Sequence, residues 1–121
     1  MSTKYTEEQV WIRPADGVAI VGITQHAQEA LGDIVFVDLP AIGTEIAQKA
    51  VAGVVESVKT AADVYMPASG VVTEVNEDLR ADPSLANIDP LGKGWFFKVK
   101  LLDSAQLVAL MDDAAYAKFE A

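Results

Sequence analysis

The chain has 121 residues, of which 18 are acidic and 9 are basic, so its formal net charge at pH 7 is −9. This acidity disfavours nucleic acid and anionic membranes as partners and favours proteins with basic docking faces. Half of the residues are apolar and cysteine is absent, which predicts a globular protein without disulfides, thiolate metal sites or thiol catalysis. No apolar run approaches the length of a membrane span and the first residues lack a signal-peptide pattern, so we expect one cytoplasmic domain over residues 1–121.

β-branched and aromatic residues recur in short runs bounded by turn-forming residues, a pattern typical of strands. The predicted strands are residues 10–13, 18–23, 34–39, 53–58, 70–75 and 95–101. Pro14-Ala15-Asp16-Gly17 is a strong turn signal between the first two strands. Short strands outnumber helices in the whole pattern, so the expected fold class is mostly β with short helices at the edges.

Capping residues mark the starts of the predicted helices. The first three helices follow Thr24, Asn76 and Asp103, and a last one lies near the end of the chain. They cover about residues 25–31, 77–83, 105–111 and 114–119. Gly32 is a favourable left-handed stop for the first helix, and Gln106 would complete a capping box with Asp103. Residues 84–94 are rich in turn formers and are expected to form an ordered loop.

Two similar sequence segments flank Lys59: residues 53–58 are GVVESV and residues 70–75 are GVVTEV. Their valines favour extended backbone because branching at Cβ restricts the side chain. Residues 57–60 contain no glycine, so a tight turn there would use type I geometry. The pattern predicts a quasi-symmetric hairpin that displays one amine. From the residues alone, the alternative is an ordinary solvated turn lysine, which is the usual state of lysine.

The chain offers little equipment for catalysis of its own. His26 is the single histidine, and it lies on a predicted short helix where a partly exposed structural role is expected. A chain that presents one lysine and has no acid–base site is expected to be a carrier and not an enzyme.

Several distinctive short sequence motifs occur along the chain. They are Gly22-Ile23-Thr24, Leu31-Gly32-Asp33, Glu56-Ser57-Val58-Lys59, Asp63-Val64-Tyr65, Ser69-Gly70, Asp89-Pro90 and Gly94-Trp95. Together they resemble the glycine cleavage system H protein family, from about residue 5 to about residue 119. The chain departs from the family at Gln9-Val10, where many members have His-Glu, and this removes an N-terminal carboxylate.

The resemblance implies a barrel-sandwich hybrid of the lipoyl/biotinyl-carrier type, with a lysine-bearing hairpin and C-terminal helices. It implies lipoate in amide linkage on Lys59, with Glu56 and Gly70 recognised by the lipoate-attaching enzymes. Asp63 lies four residues after Lys59, matches an acid of the family motif and is a candidate contact for the cofactor arm.

The implied role is that of a monomeric lipoyl carrier in the glycine cleavage system. Such a carrier receives an aminomethyl group from glycine decarboxylase and passes its methylene on through aminomethyltransferase. Dihydrolipoamide dehydrogenase then reoxidises the arm. The carrier itself performs no catalysis.

Other roles stay open at this point. The chain could relay lipoate to other lipoyl enzymes, or it could be an unmodified interaction module. Two related classes are disfavoured by the residues around the lysine. Biotinyl carrier domains place Met-Lys-Met there and lipoyl domains of 2-oxoacid dehydrogenases place Asp-Lys-Ala, whereas this chain has Val58-Lys59-Thr60.

Overall fold

The computed structural model describes residues 3–15 and 17–120. The strands in these residues are β1 Lys4–Tyr5, β2 Val10–Ala15, β3 Val18–Ile23, β4 Ile34–Asp38, β5 Glu45–Ile46, β6 Val51–Ser57, β7 Ala61–Tyr65, β8 Gly70–Val75 and β9 Phe97–Leu101. The helices are α1 Gln25–Leu31, α2 Glu77–Ala81, α3 Leu85–Ile88 and α4 Asp113–Glu120, with a 3-10 turn at Ser104–Leu107. None of the helices in this part of the chain is long and apolar enough to cross a membrane.

The strands form two antiparallel sheets. One sheet has the order β1-β2-β3-β9-β8-β5 and the other has the order β4-β6-β7. Successive residues of a strand face opposite sides, so alternate side chains point inward. Val37 and Val55 from the three-stranded sheet join Val72 and Val99 from the six-stranded sheet in one buried cluster. Two sheets around this core, with short helices at the edges, confirm the predicted fold class.

The turn from β3 into α1 follows local sequence signals. Strand β3 has the predicted bounds. Thr24 caps the helix, because its hydroxyl oxygen accepts a hydrogen bond from the Ala27 N–H at 3.1 Å. Gly32 ends the helix with a φ of 80°, a value that favours glycine. The sequence therefore predicted both ends of α1 correctly.

The turn predicted at residues 14–17 begins later than predicted. Strand β2 continues through Pro14 to Ala15, with Pro14 opposite Ala19 of β3. Pairing with β3 outweighs the local turn preference there. Asp16, the third residue of the predicted turn, lies outside the described residues.

The C-terminal half departs from prediction in two places. The loop predicted at residues 84–94 contains the short helix α3. The capping box was also wrong: Asp103 accepts a hydrogen bond from the Ala105 N–H at 3.1 Å, but the Gln106 side chain accepts one from the Ser69 N–H at 2.6 Å. A 3-10 turn stands where the helix was expected, and Gln106 connects it to Ser69, the residue before β8.

The hairpin around Lys59 consists of β6 and β7. The second of the two similar segments, residues 70–75, forms β8, which pairs with β9 in the six-stranded sheet. The two similar segments therefore belong to different sheets, and the hairpin's return strand is β7, which lies between them. The predicted quasi-symmetric hairpin was wrong in its symmetry, although Lys59 does lie at a hairpin tip.

Candidate functional site: the lysine at the β6–β7 hairpin tip

Lys59 lies at the tip of the β6–β7 hairpin, and Ser57 closes the turn. The Ser57 N–H donates to the Thr60 carbonyl at 2.7 Å. The N–H groups of Lys59 and Thr60 donate to Ser57 Oγ at 3.2 and 3.1 Å, so the hydroxyl oxygen replaces a backbone acceptor. Among described residues other than glycine, φ is positive at Gln9 and Lys49. The tip thus avoids left-handed backbone, as expected for a turn without glycine.

The tip rests on the end of α1. The Val58 N–H donates to the Asp33 carbonyl at 3.0 Å. A Cβ placed on Gly32 would lie 3.1 Å from Lys59 Cε and 3.7 Å from Lys59 Nζ, so the lysine stem lies over a residue that has no side chain. The C-terminal carbonyls of a helix carry partial negative charge, which favours a cation nearby. Sequence reasoning missed this contact, although the helix-stop signal at Gly32 pointed to the right segment.

Glu56 and Asp63 lie on the same face of the three-stranded sheet. Residues paired across antiparallel strands share a face, as do residues two apart on one strand. Phe36 pairs with Glu56, Asp38 pairs with Val54, and Val54 pairs with Asp63. These residues form the solvent-facing side of the sheet, here called the outer face. It carries three exposed carboxylates and a half-exposed phenylalanine next to the hairpin tip.

Gly70 begins β8 in the six-stranded sheet, whereas Lys59 follows a strand of the three-stranded sheet. It is buried, between Ile46 of β5 and Leu101 of β9. A Cβ at Gly70 would lie 2.9 Å from the Lys100 carbonyl oxygen, so β9 occupies the space that a side chain would need. Packing therefore accounts for the glycine, and its recognition by attaching enzymes stays a prediction.

His26 lies on α1 with half of its side chain exposed, and its Nδ1 is 3.4 Å from the Glu120 carboxylate. This placement fits the expected structural role. The described residues contain no group of three histidine, aspartate or glutamate side chains placed to hold a metal ion. All buried side-chain nitrogen and oxygen atoms in that part of the chain have hydrogen-bond partners.

Gln9 and Val10, where the chain departs from the resemblance, both have structural roles. Val10 is 1% exposed and belongs to the core. Gln9 Oε1 accepts hydrogen bonds from the Thr24 hydroxyl at 2.8 Å and from the hydroxyl of Tyr116 on α4. Tyr116 in turn stacks on Tyr5, with ring centroids 4.3 Å apart. Gln9 therefore connects the C-terminal helix to the start of α1.

Comparison with known proteins agrees with this architecture. The sequence model of the family described as Glycine cleavage H-protein matches residues 3–121. A glycine cleavage system H protein of Chromobacterium violaceum is 59% identical over 116 residues, covering 95% of this chain and 91% of that relative. One of Thermotoga maritima is 52% identical over 116 residues, covering 96% of this chain and 94% of that relative.

A solved structure gives the same result for the fold. The crystal structure of a glycine cleavage system H protein from Mycobacterium marinum superposes with a TM-score of 0.90 at 38% identity. The superposition covers 98% of this chain and 96% of that one, and it confirms the expected barrel-sandwich fold. By its sequence and its fold, the chain belongs to the glycine cleavage system H protein family.

Proposed function

We propose that this chain is the lipoyl carrier of a glycine cleavage system, with lipoate held in amide linkage on Lys59 of a single domain, residues 1–121. The observation that carries the proposal is the exposed Lys59 at a hairpin tip, within a chain of the H protein family. The relatives from Chromobacterium violaceum and Thermotoga maritima are both described as glycine cleavage system H proteins.

Lys59 suits covalent attachment because its amine is accessible while its backbone is fixed. Ser57 holds the turn through its hydroxyl, and Gly32 leaves room for the lysine stem. The stem and the lipoyl chain together would span about 14 Å, by counting bond lengths. When attached, the lipoyl group would supply a disulfide that can be reductively opened to carry an aminomethyl group on one sulfur, and the dithiol left after transfer would be reoxidised. The protein's own part is to hold the attachment point at a defined position at the hairpin tip.

The outer face supports specific roles for two carboxylates. Glu56 is exposed three residues before Lys59, so an attaching enzyme that holds the tip would meet its charge. Asp63 is exposed on the return strand, where its carboxylate would favour a cationic amine on the arm. For recognition of Gly70 by an attaching enzyme, the only support is the family motif Ser69-Gly70, because the residue is buried between strands.

The proposed partners follow from the carrier role. They are glycine decarboxylase, aminomethyltransferase, dihydrolipoamide dehydrogenase and the lipoate-attaching enzymes. Each must bind the tip and accept an arm, and a net charge of −9 suits docking faces that are basic. The chain acts as a carrier and leaves catalysis to these enzymes.

Peptide mass spectrometry of protein purified from its own host tests the proposal. We expect the mass of one lipoyl group on Lys59, and none on a Lys59→Arg variant from the same host. Lysine elsewhere on the surface, such as Lys49, is an internal control that should stay unmodified. Unmodified Lys59 in a host whose other lipoyl proteins are modified would overturn the carrier role.

A further inference from the structure

We propose that Asn87 is a positioning residue that fixes the seat of Lys59. The seat is the segment of residues 32–34, which connects α1 to β4. The inference rests on the proposed function in one respect, namely that Lys59 is the residue to be modified. It goes further by assigning the orientation of that lysine to a side chain distant in sequence.

Asn87 uses both ends of its amide to hold this segment. Its Nδ2 donates to the Gly32 carbonyl and to Gln28 Oε1, each at 2.9 Å. Its Oδ1 accepts from the Ile34 N–H, also at 2.9 Å. One side chain therefore ties the last turn of α1 to the first residue of β4. Gln28 is buried, so without the Asn87 amide its side-chain oxygen would lose a hydrogen-bond partner at a position that solvent reaches poorly.

The residue between the two points that Asn87 holds is Asp33, and Asp33 holds the hairpin tip. Its carbonyl accepts from the Val58 N–H at 3.0 Å. On one side of it, Gly32 lies under the stem of Lys59. A shift of this segment would therefore move the acceptor of Val58 and the surface under Lys59 together.

Asn87 itself is held firmly. It lies on α3 next to Ala86, which is fully buried. The helix is closed by a hydrogen bond from the Asp89 N–H to the Leu85 carbonyl at 2.9 Å, and the Gly94 N–H donates to the Asp89 carbonyl at 2.8 Å. The anchor is thus part of the packed body of the protein, and the hydrogen bonds of Asn87 transmit its position to the hairpin.

Only asparagine or glutamine supplies donors and an acceptor at one terminus, and asparagine has the shorter reach. Aspartate at position 87 would keep the acceptor for the Ile34 N–H but would direct charge at two oxygen acceptors. We therefore expect Asn87→Asp to release the segment while changing side-chain size very little.

Asn76 provides a matched control in the same chain. Its Nδ2 also donates to two oxygens, the carbonyls of Lys93 and Trp95, each at 2.8 Å. Its Oδ1 also accepts one backbone N–H, that of Leu79 at 3.3 Å. Asn76→Asp therefore removes a comparable set of hydrogen bonds, none of which involves residues 32–34 or the hairpin itself.

The test measures amide hydrogen exchange of Val58 by NMR in the unmodified full chain, together with kcat/KM for lipoylation by an attaching enzyme. In Asn87→Asp we expect Val58 exchange to rise about tenfold, equivalent to about 1.4 kcal/mol, and kcat/KM for lipoylation to fall by a similar factor. Asn76→Asp should leave both at wild-type values even where its melting temperature falls equally.

Wild-type Val58 exchange in Asn87→Asp, or an equal rise in Asn76→Asp, would overturn the inference. If Asn87→Asp does not fold, Asn87→Ser takes its place, with Asn76→Ser as its control. Failure of wild type to be lipoylated would overturn the proposed function instead, and Val58 exchange would still decide the role of Asn87.

Discussion

The stem of Lys59 lies across the backbone of Gly32, where an added Cβ would come within 3.1 Å of Lys59 Cε. Glycine at this position meets two requirements at once. Its φ of 80° ends α1, and its missing side chain leaves space for the lysine. The attachment point and the helix end are therefore one structural unit, although they lie in different parts of the sequence.

Gly32→Ala should displace Lys59 in a way that an alanine at another positive-φ position does not. The matched control is Gly43→Ala, because Gly43 also has positive φ, 92°, and a Cβ there meets nothing within 4 Å. Both variants place alanine at positive φ and should lose roughly 1–3 kcal/mol of stability from backbone strain. Only Gly32→Ala should shift the Lys59 Cε resonance in carbon NMR and slow lipoylation. Equal resonance positions in the two variants would contradict the contact.

Local signals in the sequence predicted the elements that depend on neighbouring residues. Thr24 and Gly32 carry the start and end of α1 in their own chemistry, and four of the six residues of β3 are β-branched. Pro14 shows the limit of such signals, since pairing with Ala19 keeps it in a strand. No local pattern could show that Asn87 holds residues 32–34, because the contact spans more than 50 residues.

Local sequence signals were also insufficient for the two similar segments that flank Lys59. Residues 53–58 and 70–75 are alike in sequence, yet they belong to different sheets because their partners differ. The sequence of a strand does not show which neighbouring strand it pairs with. In the folded chain, residues 53–56 pair with β7 and residues 70–75 pair with β9. The hairpin that carries Lys59 could be predicted from the sequence, but the placement of the two similar segments in different sheets could not.

Gly70→Ala should destabilise the fold, since its Cβ would press on the Lys100 carbonyl 2.9 Å away. Forcing extra volume into a packed site costs about 1–3 kcal/mol, which urea unfolding would measure. Lipoylation should then be compared under conditions where both proteins are fully folded. A wild-type rate for the folded variant would remove Gly70 from recognition and leave it a packing residue.

Stability at high pH should depend on Tyr5. Burial, with a hydrogen bond and the negative charge of Asp113 as further causes, raises the pKa of Tyr5 from 10.0 to about 12. The unfolded chain ionises near pH 10 while the folded chain stays protonated, so this stabilisation is present below pH 10 and is lost as pH rises toward 12. The melting temperature of wild type should thus fall steeply over that window.

Tyr5→Phe should flatten the fall in melting temperature between pH 10 and 12, because the ionising group is gone. Tyr65→Phe is the control, since it leaves the stacked pair of Tyr5 and Tyr116 intact. Burial also raises the pKa of Tyr116, so part of the slope should remain in Tyr5→Phe. A slope identical to that of wild type would contradict the assignment to Tyr5.

Docking to the partner enzymes should be steered by charge. With a net charge of −9, association rates should fall as salt shortens the Debye length to about 10 Å at 0.1 M. Stopped-flow binding of the lipoylated chain to glycine decarboxylase at several salt concentrations would measure this. A rate that does not change with salt would leave the acidity as a solubility feature alone.

Glu56→Gln should lower the rate of lipoylation without changing the fold. Glu56 is exposed on the outer face, where it pairs with Phe36 and Ala61, so a change from carboxylate to amide should disturb the packing very little. An attaching enzyme that grips the tip would lose one charge-assisted hydrogen bond, worth about 1.5–3 kcal/mol, so kcat/KM should fall roughly tenfold or more. Asp38→Asn is the control, because it removes an exposed carboxylate of the same face in the next row from the tip. Equal rates in Glu56→Gln and wild type would end the recognition role of Glu56, whereas an equal loss in both variants would assign the effect to the charge of the whole outer face.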